Sequence, residues 1–559
     1  KFFGIHFKRC CTGCPHVLVL RIRKFGIVAL QNKLNNPHDL LNWNKYVVMK
    51  IKLILILIIL PLVIQAQQLQ KEGIKSDQIT ELADKYAKAS FEEFKAILSI
   101  PNDAYFPVDI EKNVQWCESA FQKRDFTTTR LITGGAPLLL AERKVENPQK
   151  TVLVYLQIDG QPTDSTKWFQ ETAFTPTLKQ SDGQGNWQTI DWNRIHNSYD
   201  PEFRIFARST SDAKGPVVMF LAAMDAINSL GINPSYNLKI IMDFEEEQGS
   251  PNLPPAVTMH KEALASDMLI IFDGPLHISN EPTLKFGARG ISEVTLTVFG
   301  PRAPQHSGHY GNYAPNPAFR LSQLLASMKG DDGRVSIPGF YDGVTLDAAT
   351  RKIMADVPDD EAIIQKRIGI AETDKVGSNY QEAIQYPSLN IRGMASAWVG
   401  SKKRTIVPST ATVEIDVRLV KESDPDHLLG LIRQHIIDQD YHIIEGDAPT
   451  EEERMTYSRL VKMDASTSYL AYRTPINSPV GIWLSSAIER AFGVPPIKIR
   501  TSGGSIPIAP FVSTLGIPAV SVPTVNMDNN QHSPNENIRL GNYVDGVKTM
   551  IAILTEHFK

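Results

Sequence analysis

The stretch 243–253 constrains this chain most, because it places three consecutive carboxylates between an apolar run and a turn. Its sequence is DFEEEQGSPNL, and the residues before it, 238–242, are mostly apolar. Such a run predicts a buried strand, and Gly249 and Pro251 predict a turn directly after it. Neighbouring carboxylates repel one another, and a divalent cation relieves that cost because it takes them as ligands. The stretch is therefore either a solvated acidic turn or one part of a metal site.

The beginning of the chain has the composition of a targeting segment that starts well after the first residue. Residues 1–48 contain eight Lys and Arg residues and one acid, Asp39. Residues 49–66 begin with Met49, pass through two lysines into an apolar run and end on a small residue, which is typical of a secretory signal peptide. We therefore predict a signal peptide at 49–66 and an upstream segment at 1–48 that is not part of the native protein. The alternative is a real extension followed by a membrane helix, but the apolar run is shorter than the roughly 20 residues that a bilayer requires.

The overall composition is that of a globular protein with more than one domain. The chain has 559 residues, of which 42% are hydrophobic, and its net charge is −3. This charge balance argues against a nucleic-acid binder, and the length allows two or more domains. Together with the signal peptide, these features predict an exported protein, periplasmic or secreted, with no stable membrane span.

Apolar runs of strand type alternate with helical patterns along the chain. The predicted helices are 76–98, 114–121, 215–230 and 256–265, and the predicted strands are 151–156, 237–244, 268–272 and 520–524. This alternation predicts an α/β fold with a mainly parallel sheet and crossover helices.

Side chains that bind metals follow several of these strands. They are Gln157 and Asp159, the three glutamates 245–247, Asp273 and His532, and Asp212 precedes the predicted helix 215–230. Each one alone is more simply explained as a turn or cap residue. Because ligands bind at the carboxyl ends of strands in such sheets, their joint occurrence predicts one site.

The ordered motifs resemble the dinuclear zinc peptidases of family M-twenty, which include carnosinase-type dipeptidases, glutamate carboxypeptidase, aminoacylase and acetylornithine deacetylase. The motifs are YLQIDGQP at 155–162, SDAKGP at 211–216, EEEQGSPNL at 245–253, DGP at 273–275, HSGHYGN at 306–312, RLVKESDP at 418–425, GGSIP at 503–507 and HSPNE at 532–536. The resemblance implies an α/β catalytic domain formed by 67–286 and 476–559. It also implies an inserted α+β lid domain at 287–475 that forms a homodimer.

The resemblance assigns the metal chemistry to five of these residues. Asp212 would bridge two metal ions, Asp273 would bind the first ion, and Glu247 and His532 would bind the second. Glu246 would be the general base for a metal-bound water, because a carboxylate beside such a water can pass its proton to the leaving amine. Zinc is the implied metal, with manganese or cobalt as alternatives.

The resemblance also assigns residues that contact the substrate. His306 would reach into the partner subunit's site and polarise the carbonyl that is attacked. Arg418, Ser505 and Gly504 would hold the carboxylate of a peptide or an N-acyl amino acid, for which a planar guanidinium is well suited. The period of residues 411–419 places Arg418 on the polar face of a strand.

The sequence departs from the family pattern at one metal ligand. Gln157 occupies the place of a histidine that binds the first ion, and a neutral amide oxygen suits zinc poorly. One ion could remain, Gln157 or Asp159 could complete the first site, or hydrolysis could be lost. We therefore predict an exported metal-dependent hydrolase of peptide bonds, a dipeptidase or carboxypeptidase, with a pseudoenzyme that binds peptides without turnover as the alternative.

Overall fold

The fold is described from a computed structural model, which covers residues 74–195 and 199–558. The predicted signal peptide and upstream segment lie outside these residues. Within the covered ranges, no helix combines the length and apolarity that a membrane span requires.

The helices and strands alternate along the catalytic part of the chain, as predicted. The helices are α1 Ser76–Leu98, α2 Pro107–Gln122, α3 Lys214–Ser229, α4 Leu253–Met259, α5 Lys261–Leu264, α6 Ser307–Tyr310, α7 Pro317–Met328, α8 Ala348–Ala355, α9 Glu361–Ile368, α10 Tyr380–Ala383, α11 Pro425–Asp438, α12 Glu451–Thr456, α13 Pro479–Phe492, α14 Ala509–Leu515 and α15 Leu540–Leu554. The strands are β1 Thr127–Leu131, β2 Leu138–Arg143, β3 Thr151–Gln157, β4 Thr177–Ser181, β5 Trp187–Thr189, β6 Arg204–Phe206, β7 Asn237–Asp243, β8 Met268–Ile271, β9 Thr283–Lys285, β10 Gly287–Ala288, β11 Gly290–Phe299, β12 Gln305–His306, β13 Ser388–Ala395, β14 Ile406–Val407, β15 Thr410–Leu419, β16 His442–Ile444, β17 Leu460–Tyr469, β18 Tyr472–Arg473, β19 Ile497–Ile499, β20 Ala519–Ser521 and β21 Asn537–Arg539.

An eight-stranded mixed sheet forms the catalytic part, in the order β1-β2-β7-β3-β8-β20-β9-β19. The four central strands β7, β3, β8 and β20 are mutually parallel. Strands β1 and β2 join their neighbours by antiparallel pairings, and β9 is antiparallel to β20 but parallel to β19. The prediction of an α/β fold with a sheet containing parallel strands is thus confirmed, and the parallel strands are those that carry the candidate site.

Strand β3 is buried on both faces, which explains its unbroken apolar sequence. Val152, Val154 and Leu156 join the core beneath α1, α3 and α15. Leu153 and Tyr155 point to the opposite core, beneath α4 and α14. Because helices cover both faces of the sheet, the ends of the central strands form its uncovered edge.

The inserted part of the chain builds a second sheet, in the order β13-β15-β11-β17-β16. Val413, Ile415 and Val417 of β15 are buried in its core with residues of α7 and α11. The intervening Glu414 and Arg418 are less buried, so the period predicted for this strand is confirmed. The pair β10 and β18 joins antiparallel where the chain enters and leaves this sheet.

Two details of the predicted elements are wrong. The single helix predicted at 256–265 is two short helices, α4 and α5, which meet at His260. The last predicted strand, 520–524, ends at Ser521. The second segment stays apolar for one residue past Ser521, and apolarity alone does not mark where backbone pairing stops.

Candidate active site

The central parallel strands end beside one another and deliver acidic or amide side chains to one edge of the sheet. Gln157 is the last residue of β3, and Asp273 follows β8 closely. Glu246 and Glu247 lie in a short 3-10 turn after β7. His532 lies in the loop between β20 and β21.

Asp212, Glu247 and His532 form a cluster that could hold a metal ion. One ligand atom from each lies within 4.8 Å of the other two. His532 Nε2 is 2.9 Å from Asp212 Oδ2 and 3.4 Å from Glu247 Oε2. The backbone of His532 has a φ of 61°, in the left-handed region that non-glycine residues adopt at a cost and often at functional sites.

A buried glutamate that the sequence analysis missed positions Asp212. Glu536 is 0% exposed, and its two oxygens accept hydrogen bonds from the backbone N–H groups of Ser209, Ser211 and Asp212, each at 2.9 Å. Arg208 donates to it at 2.8 Å and balances its charge. The loop that carries Asp212 is therefore held by one carboxylate. The motif HSPNE contains this residue, but only the loop conformation reveals its role.

Gln157 contacts Asp212 as a hydrogen-bond donor. Its Nε2 lies 2.6 Å from Asp212 Oδ1, on the carboxylate oxygen that does not face His532. The side chain is 2% exposed, and its Oε1 has no hydrogen-bond partner among the described residues. One oxygen of Asp212 thus faces the cluster and the other faces a neutral amide.

Asp159 forms hydrogen bonds with the turn that contains Glu246 and Glu247. Its two oxygens accept the backbone N–H groups of Glu246 and Glu247 at 3.0 and 2.9 Å. Asp159 would have to release both bonds to become a metal ligand. Asp159 therefore shapes this turn, a role that the sequence motifs did not predict.

Asp273 does not belong to the three-residue cluster and has a lysine nearby. Lys285, the last residue of β9, donates from Nζ to the carbonyl of Pro275 at 2.8 Å. Burial lowers the pKa of Lys285 to about 8, and the charge of Asp273 opposes that shift. Nothing in the sequence motifs pointed to Lys285, because it lies on an edge-side strand far from them along the chain.

Burial and neighbouring charges raise the pKa values of two glutamates and one histidine at this site. Burial, and then the charge of Asp212, raises the pKa of Glu247 to about 8. Burial, and then the charge of Asp273, raises the pKa of Glu246 well above its usual value. The hydrogen bond to Asp212 raises the pKa of His532 to about 9. A cation bound among these groups would offset the burial and the repulsion that raise the pKa of the two glutamates.

Arg418 and Ser505 come together across the two parts of the fold. Arg418 donates from Nη1 to Ser505 Oγ at 2.9 Å, and Gly504 next to it has open space where a side chain would stand. A second guanidinium, Arg289, was missed by the sequence analysis. Its pKa is lowered to about 10 by burial and then by Arg418. Two neighbouring guanidiniums favour an anion, since like charges are costly without one.

His306 stays apart from the metal cluster. It is exposed on the short strand β12, and its Nδ1 accepts the backbone N–H of Gly308 at 3.0 Å. Its ring centroid lies 4.7 Å from that of His309. In a single chain the structure does not bring it to Asp212, Glu247 and His532.

A family model for the peptidase family M20/M25/M40 matches residues 158–556. The chain belongs to this peptidase family. By that membership it is an amide hydrolase of the metallopeptidase class, as the sequence predicted.

Individual M20 relatives are distant but extend over most of the chain. The Cys-Gly metallodipeptidase dug1 of Schizosaccharomyces pombe is 25% identical over 428 residues, which is 75% of this chain and 82% of the relative. The human Beta-Ala-His dipeptidase is 26% identical over 431 residues, covering 75% and 77%. The M20 family metallo-carboxypeptidase Sso-CP2 from Sulfolobus solfataricus superposes with a TM-score of 0.68 at 25% identity, covering 83% of this chain and 98% of that one. Human carnosine dipeptidase 1 shares the fold, with a TM-score of 0.66 at 23% identity over 86% and 98% of the two chains.

The family resemblance implies two metal-binding positions, and the residues of this chain fit one of them. Asp212, Glu247 and His532 offer two carboxylates and an imidazole, a donor set that zinc accepts. The first place does not fit, because Gln157 presents an amide N–H to Asp212 and Lys285 adds positive charge beside Asp273.

Proposed function

We propose that this chain is an exported, metal-dependent dipeptidase. The convergence of Asp212, Glu247 and His532 beside Glu246, on the carboxyl ends of parallel strands, carries the proposal. The Cys-Gly and Beta-Ala-His dipeptidases to which the chain is similar support short peptides as the substrate class. Similarity to a metallo-carboxypeptidase keeps longer peptides as a second candidate.

A divalent ion, with zinc as the first choice, would be held by Asp212, Glu247 and His532, and would supply the positive charge that acidifies water and polarises a carbonyl. Glu246 lies in the 3-10 turn that follows β7, and burial and then the neighbouring acids raise its pKa. It therefore has the basicity to accept a proton from the attacking water and return it to the leaving amine. The backbone contacts of Asp159 keep Glu246 and Glu247 in one fixed turn.

Arg418, Ser505 and Gly504 would hold the terminal carboxylate of the substrate. The guanidinium of Arg418 already bonds Ser505, and Gly504 leaves room beside it. The neighbouring guanidinium of Arg289 adds positive charge. A site of this kind selects peptides with a free carboxyl end over capped ones.

We also propose export and a homodimer. The signal-peptide pattern at 49–66 supports export. The edge strand β13 of the lid sheet bears Ile391 and Met394, which are 45% and 47% exposed. An open, apolar sheet edge favours pairing with a second copy, and a second copy could bring His306 to a site that it does not reach in one chain.

The test is peptide hydrolysis by the chain from Gln67, with Cys-Gly, β-Ala-His and their amide-capped forms, before and after chelation. We expect metal-dependent turnover of the uncapped dipeptides. The variant Glu246→Gln should lose about 10²-fold or more in kcat while it keeps its metal. The matched control is Glu245→Gln, since Glu245 accepts only structural bonds from Ala136 and Asn252 and should stay within a few-fold of the unmodified chain.

Peptide binding without turnover, whichever divalent metal is added, would overturn the proposed enzymatic function. The chain would then be a pseudoenzyme. That candidate is favoured by one observation, the amide of Gln157 in the place of a metal-binding imidazole.

A further inference from the structure

We propose that this site holds one divalent ion per chain, and that the Lys285 ammonium and the Gln157 amide replace the second ion beside Asp273 and Asp212. The inference rests on the proposed metal site, and it concerns how many ions that site accepts.

The first observation is that the two oxygens of Asp212 have different hydrogen-bond partners. Oδ2 faces His532 at 2.9 Å and Gln531 Nε2 at 3.2 Å. Oδ1 accepts the amide of Gln157 at 2.6 Å. A carboxylate that bridges two ions offers one oxygen to each, and here a buried N–H occupies a lone pair of the oxygen that would face the second ion.

The second observation is the position of Lys285 at the edge where the candidate ligands lie. Lys285 pairs with Ser521 at the carboxyl end of β20, and its Nζ bonds the carbonyl of Pro275, two residues after Asp273. A Cβ built on Gly274, the residue after Asp273, would lie 3.6 Å from Lys285 Nζ, so the ammonium lies beside the backbone that carries Asp273. The lysine therefore provides Asp273 with the positive charge that an ion would otherwise provide.

The third observation is that the remaining ligands favour one location. Within the described residues, the atoms that could bind a metal converge at Asp212, Glu247 and His532, and Asp273 is not among them. A second dication next to Asp273 would also lie close to the Lys285 ammonium and be repelled by it. The charges of Asp212, Glu247 and Asp273 are thus balanced by one dication and one lysine.

The experiment is metal content of the folded chain from Gln67, by elemental analysis after dialysis against excess zinc, with native mass spectrometry on the same sample. We expect one ion per chain. Two ions per chain would overturn this inference and leave the proposed function intact, whereas no ion would overturn both.

Variants then test which residues set that number. Asp273→Asn should keep one ion, and Glu247→Gln should lose it. The double variant Gln157→His with Lys285→Met should rise from one ion to two, and its cobalt form should show the magnetic coupling of paired ions by electron paramagnetic resonance. Lys239→Met is the matched control and should keep one ion. Lys239 is a partly buried lysine of the same sheet that bonds the carbonyls of Ala263 and Ala265, away from the candidate metal ligands. A folded double variant that stays at one ion would overturn the role of Lys285 and Gln157.

Discussion

At the scale of single residues, Arg418 is the side chain whose chemistry is most open to test. Its guanidinium forms a bond to Ser505 and a weaker one to Asp416 at 3.3 Å. Lysine would keep the charge but lose the two-point geometry that a carboxylate matches. We expect Arg418→Lys to lower kcat/KM for uncapped dipeptides by about 10- to 100-fold, the range for losing a charge-assisted bond.

The control for this prediction lies on a helix of the lid. Arg433 of α11 pairs with Glu445 at an exposed position, so Arg433→Lys should leave kinetics unchanged. Amide-capped dipeptides provide the second comparison, because they lack the carboxylate. An equal loss on capped and uncapped substrates would show that Arg418 does not bind that group.

The sequence predicted the three side chains of the candidate cluster better than the residues that hold them in place. Asp212, Glu247 and His532 lie in motifs whose order along the chain implies a site, and the structure brings them together. Glu536 and Asp159 act through backbone N–H groups, and such bonds depend on loop conformation, which residue type does not encode. Lys285 was missed for the same reason, since its neighbour Asp273 comes from another strand.

At the scale of elements, the loop before α3 is the part that most depends on one side chain. Glu536, from the start of β21, accepts three backbone N–H groups of residues 209–212 and pairs with buried Arg208. We expect Glu536→Gln to lower the free energy of unfolding by about 3–5 kcal/mol, the cost of leaving a buried ion unpaired. Because Asp212 lies in that loop, metal affinity should fall as well.

Denaturant unfolding and metal titration together check this prediction. The control is Glu202→Gln, whose partner Arg539 forms an exposed pair of the kind worth about 0–1 kcal/mol. Unchanged metal affinity in a destabilised Glu536→Gln chain would mean that the loop keeps its shape without this carboxylate.

Sequence patterns predicted the central strands because burial on both faces leaves long apolar runs, as in β3. The antiparallel strands β1, β2 and β9 at the sides of the sheet were not predicted. β1 is the partly exposed edge strand, where the strand signal is weak, and β9 has only 3 residues. The break between α4 and α5 was missed because the residues on both sides of His260 favour a helix.

At the scale of the whole molecule, the exposed position of His306 leads to a test of the dimer. If each site needs His306 of the other copy, His306→Ala and Glu246→Gln are each inactive alone. After the two variants are mixed and their subunits exchange, half the dimers contain both, and each of these has one intact site. We expect about a quarter of the unmodified activity to return, measured with a dipeptide assay. Continued inactivity of a mixture shown by mass spectrometry to contain mixed dimers would contradict a shared site.

The pH dependence of metal binding follows from the protons that the site holds without a metal. Folding raises the pKa of Glu247 from 4.5 to about 8 and that of His532 from 6.5 to about 9. Both groups bind protons more tightly in the folded chain, so their contribution to the free energy of unfolding decreases as pH rises through these windows. A metal ion needs both groups deprotonated, and its binding therefore releases protons.

The stabilisation gained from saturating zinc should consequently increase with pH between about 6 and about 9, by roughly a tenfold change in affinity per pH unit for each proton released. Lysines whose pKa is lowered by burial, such as Lys214 at about 7, shift the stability of the metal-free chain in the opposite direction. Lys214 bonds Ile97 and Ile100, away from the cluster, so its effect cancels when melting temperatures with and without zinc are subtracted at each pH. Glu247→Gln, which lacks one ligand, should show almost no zinc-dependent shift at any pH. A zinc-dependent shift in the unmodified chain that is constant from pH 6 to pH 9 would mean that the ion does not displace protons from Glu247 and His532, and would place it elsewhere.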